Sequence, residues 1–574
     1  MYDNYYLLPF LIEFILGCLV LHFRDYLLLS DKIGILTGVV IILLSLTRFY
    51  KFMEKSSSVK QLSKNKPLTV SLTTKGRVPK DKVFIGKGFI WQNEHVQKMY
   101  ILKTINRWDG FLNPDSDGLS VIHGIGKEEE KSIYIPTSEL NTHTAIVGTT
   151  GVGKTRALEL FIGQAILRNE PAIIIDPKGD NSLVDRVYDL CVKAGRKNDF
   201  MFFSLTHPKS SCTYNPLENF SKPTDIASRI RSIMDIGEEP FYADFAWNLI
   251  LGITSALLSL DEKPTIRSIH RYSLIDFEEL MVKFTKRYNE AKMNNNETVV
   301  TKLEPALKYL KKIESHPRDH FAKVTASLEP VLASLSYGEV GDLLSTIPSD
   351  ITFEKIINKN RVVYFYLSSM IDNQVARNVG RMALQDLLFY VGSIYAHYPD
   401  VEFPLNVFVD EFYNVIFDGY VDLLNKARGA GVRVTLAMQT SKDVESVVSE
   451  PKAMQILANT NNKIFFRVPE MEVAKIFSEM FGKTVIKERM KTLSISPDVG
   501  DNGIYYGTNT GERLINKEVD LIEPQLLASL PKGEIFMYSQ GRLPYKVRIP
   551  LISDKIENRF MEKVIESNRG LEYV

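Results

Sequence analysis

At 574 residues the chain is long enough for two or three domains and at least one large core. Apolar residues make up 45% and charged residues 24%, which excludes wholesale disorder, and a net charge of +1 excludes a globally basic nucleic-acid binder. Any contact with DNA or RNA must then come from local patches, and the three cysteines (Cys18, Cys191, Cys212) offer neither a disulfide framework nor metal-ligand spacing.

Two apolar segments open the chain. Residues 5–23, YYLLPFLIEFILGCLVLHF, are apolar except for Glu13 and the ends, and residues 33–47, IGILTGVVIILLSLT, are apolar throughout. Each approaches the lower limit of roughly 17 residues for a bilayer span. The first lacks a basic leading region and a small-residue cleavage site, which argues against a removed signal peptide. A buried hairpin in a soluble domain is the competing reading. Arg48, Lys51, Lys55, Lys60, Lys64 and Lys66 follow the second segment, whereas the connecting loop holds only Arg24 and Lys32 beside Asp25 and Asp31. That asymmetry predicts two spans with both chain ends in the cytoplasm. Glu13 is expected to face a partner helix rather than lipid, which would allow self-association there. The expected membrane hairpin occupies residues 1–54, and the polar run KSSSVKQLSKNKP (55–67) is a linker.

Short strand-like pieces run from Leu68 to about Ile135, after which buried strands alternate with helices. The predicted strands are TAIVG (144–148), PAIIID (171–176), FMFFSL (200–205), RVVYFYL (361–367), LNVFVD (405–410), VRVTLAM (432–438) and NKIFFRV (462–468). Near-continuous apolar strands separated by helices predict an α/β fold with a mostly parallel sheet covered on both faces. The alternation stops between residues 219 and 345, where helical periodicity predicts an inserted all-α domain. Its later half, Lys283 to Lys323, carries ten Lys/Arg against five Asp/Glu. Such a surface is ordinarily just solvated, and otherwise a face for an acidic partner or nucleic acid. Residues 68–218 and 346–574 then form the nucleotide-binding domain, with its core from about residue 144 and a closing hairpin over 533–552.

The chemistry concentrates at GTTGVGKT, residues Gly148, Thr149, Thr150, Gly151, Val152, Gly153, Lys154 and Thr155, which fits G-x-x-x-x-G-K-[ST] in full. The glycines let successive N–H groups point at phosphates, and the helix that follows adds its positive end. Lys154 would reach the β- and γ-phosphates of ATP, and the Thr155 hydroxyl would ligate Mg²⁺. Hydrolysis needs a second half, a buried strand ending in acid, and LNVFVDEF supplies it. Asp410 would hold Mg²⁺ through water and Glu411 would polarise the attacking water. Gln439, at the end of the next strand, is placed to sense the γ-phosphate. Arg428, in KARGAGVRV, could stabilise transition-state charge on a neighbouring subunit's nucleotide, with Arg377, Arg381 and Arg467 as competitors. IIIDPKGD (173–180) repeats the strand-to-acid pattern. Its Asp176 and Asp180 lack the paired second carboxylate that Asp410 has in Glu411.

At these residues the sequence resembles the coupling proteins of type IV secretion, the TraD/TraG group of the HerA/FtsK class of motor ATPases, and more narrowly the TraD of integrative conjugative elements. The resemblance runs through FIGKGFIW (84–91), HGIGKEEE (123–130), HTAIVGTTGVGKTRALEL, IIIDPKGD, VFVDEF, KARGAGVRVTLAMQT and NKIFFRVPEMEVAKIFSEMFGKT. It implies a RecA-like P-loop core in a hexameric, multi-pass ATPase of the bacterial inner membrane, with the bulk of the chain cytoplasmic. Such a protein would take a relaxase-bound DNA strand and drive it into the secretion channel during conjugation. The family's all-α domain, matching residues 219–345, meets DNA and relaxosome proteins. The resemblance also favours Arg428 as the arginine acting in trans and Gln439 as the sensor. Some relatives carry a long acidic C-terminal extension for docking, whereas this sequence ends at Val574, soon after its hairpin, which moves the expected contact to the helical insert. A segregation motor of the FtsK type would be expected to have four spans and a terminal winged helix. A pilus-assembly ATPase would usually lack paired N-terminal spans. A nucleotide-binding membrane scaffold would not need the whole set Lys154, Thr155, Asp410 and Glu411.

Overall fold

The computed structural model describes the chain except for residues 1–2, 24–30, 63–66, 74–77, 105–116, 235–239, 318–320, 322–324, 398–403, 418, 501–502 and 569–574. Arg24, Asp25, Lys64, Lys66, Arg318, Lys323 and the tail to Val574 lie outside the described residues. The chain divides into two compact units: Met1–Pro67, Gln92–Glu130 and Thr484–Glu518 form one, and Leu68–Trp91, Lys131–Lys483 and Val519–Val574 the other.

In the first unit the apolar N-terminus forms two helices, Asp3–His22 and Asp31–Leu62. Gly17 and Gly38 face each other where they cross: a Cβ on Gly17 would lie 2.7 Å from Ile42 Cγ1, and one on Gly38 2.5 Å from Leu21 Cγ. Glycine is what lets the backbones approach this closely. The Phe10 and Phe49 rings pack at 4.9 Å, and Arg48 Nη1 lies 2.9 Å from Glu13 Oε1. Glu13 therefore has its partner on a neighbouring helix of its own chain, which removes the reason for expecting self-association through it. Lys32–Tyr50, with a mean hydropathy of 2.0, is long and apolar enough to cross a membrane, whereas the apolar part of the first helix, Pro9–His22, is shorter. The second helix also runs on to Leu62, through most of the segment expected to be a linker, because KSSSVKQL contains no glycine or proline to end it. The same unit holds the helix Asn93–Thr104 and a long antiparallel hairpin.

Among the described residues the strands, in chain order, are β1 (Thr69–Val70), β2 (Lys82–Ile90), β3 (Lys131–Pro136), β4 (Thr144–Val147), β5 (Ala172–Asp176), β6 (Phe200–Ser204), β7 (Val362–Tyr366), β8 (Asn406–Val409), β9 (Arg433–Met438), β10 (Asn462–Phe465), β11 (Lys483–Gly500), β12 (Gly503–Asp520), β13 (Glu534–Ser539), β14 (Tyr545–Arg548) and β15 (Leu551–Ile552). Eleven of them make the sheet of the second unit, in the order β3-β2-β14-β13-β10-β4-β9-β8-β5-β7-β6. The seven strands expected from sequence are its contiguous parallel part, β10-β4-β9-β8-β5-β7-β6. Helices cover both of its faces, so β4, β5, β7, β8 and β10 are buried at every position and none shows in/out alternation. The other four strands add an antiparallel extension in which β13 pairs with β10, and β14 with β13 and β2.

Between β6 and β7 the chain is helical, from Pro223–Arg231 through Pro240–Ser259, Phe277–Met293 and Glu297–Glu314 to Gly338–Ser345. A buried polar knot ties its first helix to the helix Asn373–His397. Arg229 donates to the carbonyls of Pro216 and Asn219 and lies 3.3 Å from Asp386, which also accepts from Tyr214 Oη at 3.0 Å. Burial pushes Asp386 up to about 6 although Arg229 pulls it down. Removing the guanidinium would leave a buried carboxylate unpaired, so Arg229→Leu is expected to cost about 3–5 kcal/mol in denaturant unfolding. A loss under about 1 kcal/mol would mean that the knot is solvated.

Candidate functional site: a phosphate loop at the sheet edge

The parallel register sets the site. Val147 pairs with Met438 and Val409 with Leu436, so β4, β8 and β9 end at one edge and release Gly148, Asp410 and Gln439 side by side. This is the carboxyl edge of the strands, at the point where the chain leaves β4 and crosses over β9 and β8 to reach β5.

The loop from Gly148 to Gly153 is held by main-chain bonds: Gly148 N to Met438 O, Thr149 N to Arg467 O, and Gly533 N to Val152 O at 2.9 Å. Gly148 admits no side chain, since a Cβ would sit 2.5 Å from Phe466 Cβ, and Gly153 has φ 115°, which favours glycine as the residue that starts the helix Lys154–Leu167. Lys154 Nζ donates to the Gly148 and Thr149 carbonyls at 2.6 and 2.9 Å, which sets it over the loop. Burial lowers its pKa, opposed by Asp410, Glu411 and Asp443.

Asp410 is buried, and its Oδ1 accepts from Glu411 N at 2.9 Å. Burial, with Asp176 and Glu411 close by, pushes its carboxyl up to about 6. Glu411 has a left-handed backbone (φ 40°, ψ 53°), a conformation that costs a non-glycine residue energy and recurs at functional sites. Its Oε2 accepts from Asn414 Nδ2 at 3.2 Å. Burial raises its pKa, with Lys178 acting against it. Asp176 is differently committed. It takes Gly179 N–H at 2.8 Å, Asp180 N–H at 2.6 Å and Tyr364 O–H at 2.6 Å, and so shapes its own loop, while Asp180 caps the next helix through Ser182 N.

A cavity of about 290 Å³ is lined by Thr150, Gly151, Gly153, Lys154, Thr155, Asp410, Glu411 and Gln439. Thr149 and Val152 belong to the same loop: Thr149 is bonded through its N–H, and Val152 is buried. The donor set fits a magnesium nucleotide: a glycine-bounded turn and a lysine for phosphate, then a hydroxyl and a buried carboxylate across from it for a hard cation. Sequence reasoning missed Lys178 and Lys532, which line the same cavity. Lys178 could have been found in DPKGD, since it follows an acid at the end of a core strand. Lys532 had no local signal, because it arrives with the loop before β13.

Arg428 is not among these residues. It is exposed at the end of the helix Tyr420–Gly429, which leads into β9 at its opposite, amino-terminal edge. Arg381 is buried with Nε on the Ile416 carbonyl at 3.0 Å, and Arg467 uses its carbonyl to hold Thr149.

Two family models match the chain. Residues 130–322 match the type IV secretion-system coupling protein DNA-binding domain, and residues 404–532 match the TraM recognition site of TraD and TraG. The chain belongs to the type IV secretion coupling proteins. Among curated coupling proteins it is 20% identical over 508 residues to the type 4 coupling protein DotL of Legionella pneumophila, covering 79% of this chain and 64% of DotL. It thus spans less than two thirds of that relative's length. The solved coupling protein TrwB shares the fold: its unbound monoclinic form superposes with a TM-score of 0.53 at 15% identity, covering 74% of this chain and 89% of that one. TrwB in complex with ADP and Mg²⁺ gives 0.54 at 14% identity, covering 84% and 98%.

Proposed function

We propose that this coupling protein is an ATP-hydrolysing motor of the bacterial inner membrane that drives relaxase-bound DNA into a type IV secretion channel. The observation that carries the reading is the convergence of Lys154, Thr155, Asp410, Glu411 and Gln439 on one cavity in a coupling-protein chain. The TrwB complex with ADP and Mg²⁺ supports the choice of ligand. The loop N–H groups and Lys154 would hold the β- and γ-phosphates, and Thr155 and Asp410 would hold Mg²⁺, which neutralises charge developing on the phosphate oxygens. Glu411, its carboxyl raised by burial, would accept a proton from the attacking water, and Gln439 would orient that water. Arg428, exposed at the far edge of its own subunit, would serve the next subunit of a closed ring, for which a homo-hexamer is the proposed form. Residues 1–54 would anchor that ring through two spans, the second being the helix with spanning length. The helical insert between β6 and β7 would meet DNA and relaxosome proteins, through phosphate contacts indifferent to sequence.

The test is ATP hydrolysis by the detergent-solubilised full-length protein, with and without single-stranded DNA, with Lys154→Ala as the blank. DNA-stimulated turnover that the variant lacks is expected. Turnover indifferent to DNA would favour an assembly ATPase, and none from an oligomeric preparation would favour a nucleotide-binding scaffold.

The raised Asp410 carboxyl gives the site a pH signature. Below about pH 6 the proton competes with Mg²⁺ for it, so the Mg²⁺ concentration needed for half-maximal nucleotide binding should rise by about tenfold per pH unit on the acid side and stay flat above it. A Mg²⁺ titration at several pH values reads this directly, and a dependence that continues above pH 7 would place the metal on another group.

A further inference from the structure

His143 stands immediately before β4, buried, with a left-handed backbone at φ 61°. Both ring nitrogens are used. The Val434 N–H of β9 donates to Nδ1 at 3.3 Å, so Nδ1 is the unprotonated nitrogen, and Nε2 carries the proton it gives to the Leu424 carbonyl at 2.7 Å. Burial pushes the imidazole down to about 4, which keeps this neutral form at working pH. The main chain of His143 is committed as well: its N–H goes to Leu140 O, and its carbonyl accepts from Asn462 N at 3.2 Å and Asn462 Nδ2 at 3.1 Å.

One residue thus joins the starts of β4, β9 and β10 to the helix Tyr420–Gly429. The helical carbonyl it holds, Leu424, is four residues before Arg428, the carbonyl that faces the Arg428 N–H in an α-helix. At the other end of β4, five residues or roughly 16 Å away, Gly148 opens the phosphate loop. β4 is buried at every position, and a close-packed strand transmits strain, so a shift of the loop can reach His143 along it.

We propose that His143 is a positioning residue: it couples the phosphate loop of its own subunit to Arg428, the group that subunit offers to its neighbour's nucleotide. The proposal rests on the reading of Arg428 as acting in trans. The occupancy of one site would then be passed to the next through a single imidazole.

His143→Phe keeps the ring and removes both hydrogen bonds. In the full-length protein it is expected to hold nucleotide affinity within about twofold and to lose turnover by roughly 10²-fold, the cost of displacing a catalytic group by about 1 Å. Complementation separates positioning from mere structure. Lys154→Ala has a disabled site but an intact Arg428, and Arg428→Ala the reverse. Co-expression of His143→Phe with Lys154→Ala should restore turnover, because the second subunit lends its arginine to the first subunit's site, whereas co-expression with Arg428→Ala should not. Rescue by Arg428→Ala instead, or turnover within about twofold of the unaltered protein, would overturn the proposal. Should His143→Phe fail to fold, His143→Asn, which can still accept from Val434 N–H but is too short to reach the Leu424 carbonyl, takes its place in the same crosses. If Lys154→Ala and Arg428→Ala do not complement each other, the trans reading of Arg428 fails by itself. If they do and the His143 variant joins neither class, only the proposal for His143 fails.

Discussion

Arg428→Ala is expected to bind ATP as the unaltered protein does and to lose roughly 10³–10⁵ in kcat, the range for removing an arginine that stabilises transition-state charge on a phosphoryl group. The size of the effect follows from where charge develops: a guanidinium that meets the phosphates only as they part adds nothing to ground-state binding and everything to the barrier. The location argues the rest. Arg428 is exposed beyond the amino-terminal end of β9, while the phosphate loop lies beyond the carboxyl end of β4, so it stands at the edge of the sheet opposite to the phosphate loop of its own subunit. Nucleotide affinity from equilibrium binding and kcat from steady-state turnover separate the two terms. A kcat within about tenfold of the unaltered value would move the role to Arg377 or Arg467.

Glu411→Gln should lower kcat by roughly 10²–10⁴ while nucleotide affinity holds or tightens. The amide preserves the volume and the hydrogen bond to Asn414, but cannot accept a proton at neutral pH. Loss of a carboxylate from a site already crowded by Asp410 and Asp176 also relieves like-charge repulsion, which is the reason to expect tighter rather than weaker binding. Single-turnover hydrolysis with prebound nucleotide isolates the chemical step. Unchanged single-turnover rates would show that Glu411 acts on release and would assign the base elsewhere.

The two variants test the two ways by which residues came to the site. Lys154 was legible from the spacing of the phosphate loop, and Asp410, Glu411 and Gln439 because they follow buried apolar strands directly, and a parallel sheet delivers the carboxyl ends of its strands to one edge. Arg428 was legible as a cation before a strand, but the choice between it and Arg377, Arg381 and Arg467 was not. The structure narrows that choice by burying Arg381 against the Ile416 carbonyl. Asp176 and Asp410 look alike in sequence, each closing an apolar strand. Only the fold shows that Asp176 spends its oxygens on Gly179, Asp180 and Tyr364, whereas Asp410 faces the cavity.

What the sequence determined by itself was whatever local pattern encodes: the seven parallel strands, because burial on both faces makes them continuous apolar runs; the phosphate loop, because its glycines, lysine and threonine are adjacent; and the helical insert, because the alternation of strand and helix stops there. Tertiary structure decided what depends on partners distant in sequence. It placed β13 against β10, so that Gly533 braces Val152 and Lys532 enters a cavity nearly four hundred residues from the loop it faces in sequence terms. It paired Glu13 with Arg48 across two helices, and it put one imidazole between the strand of the phosphate loop and the helix of Arg428. Such contacts leave no periodic trace, because each is a single meeting of two residues whose neighbours in the chain follow other rules.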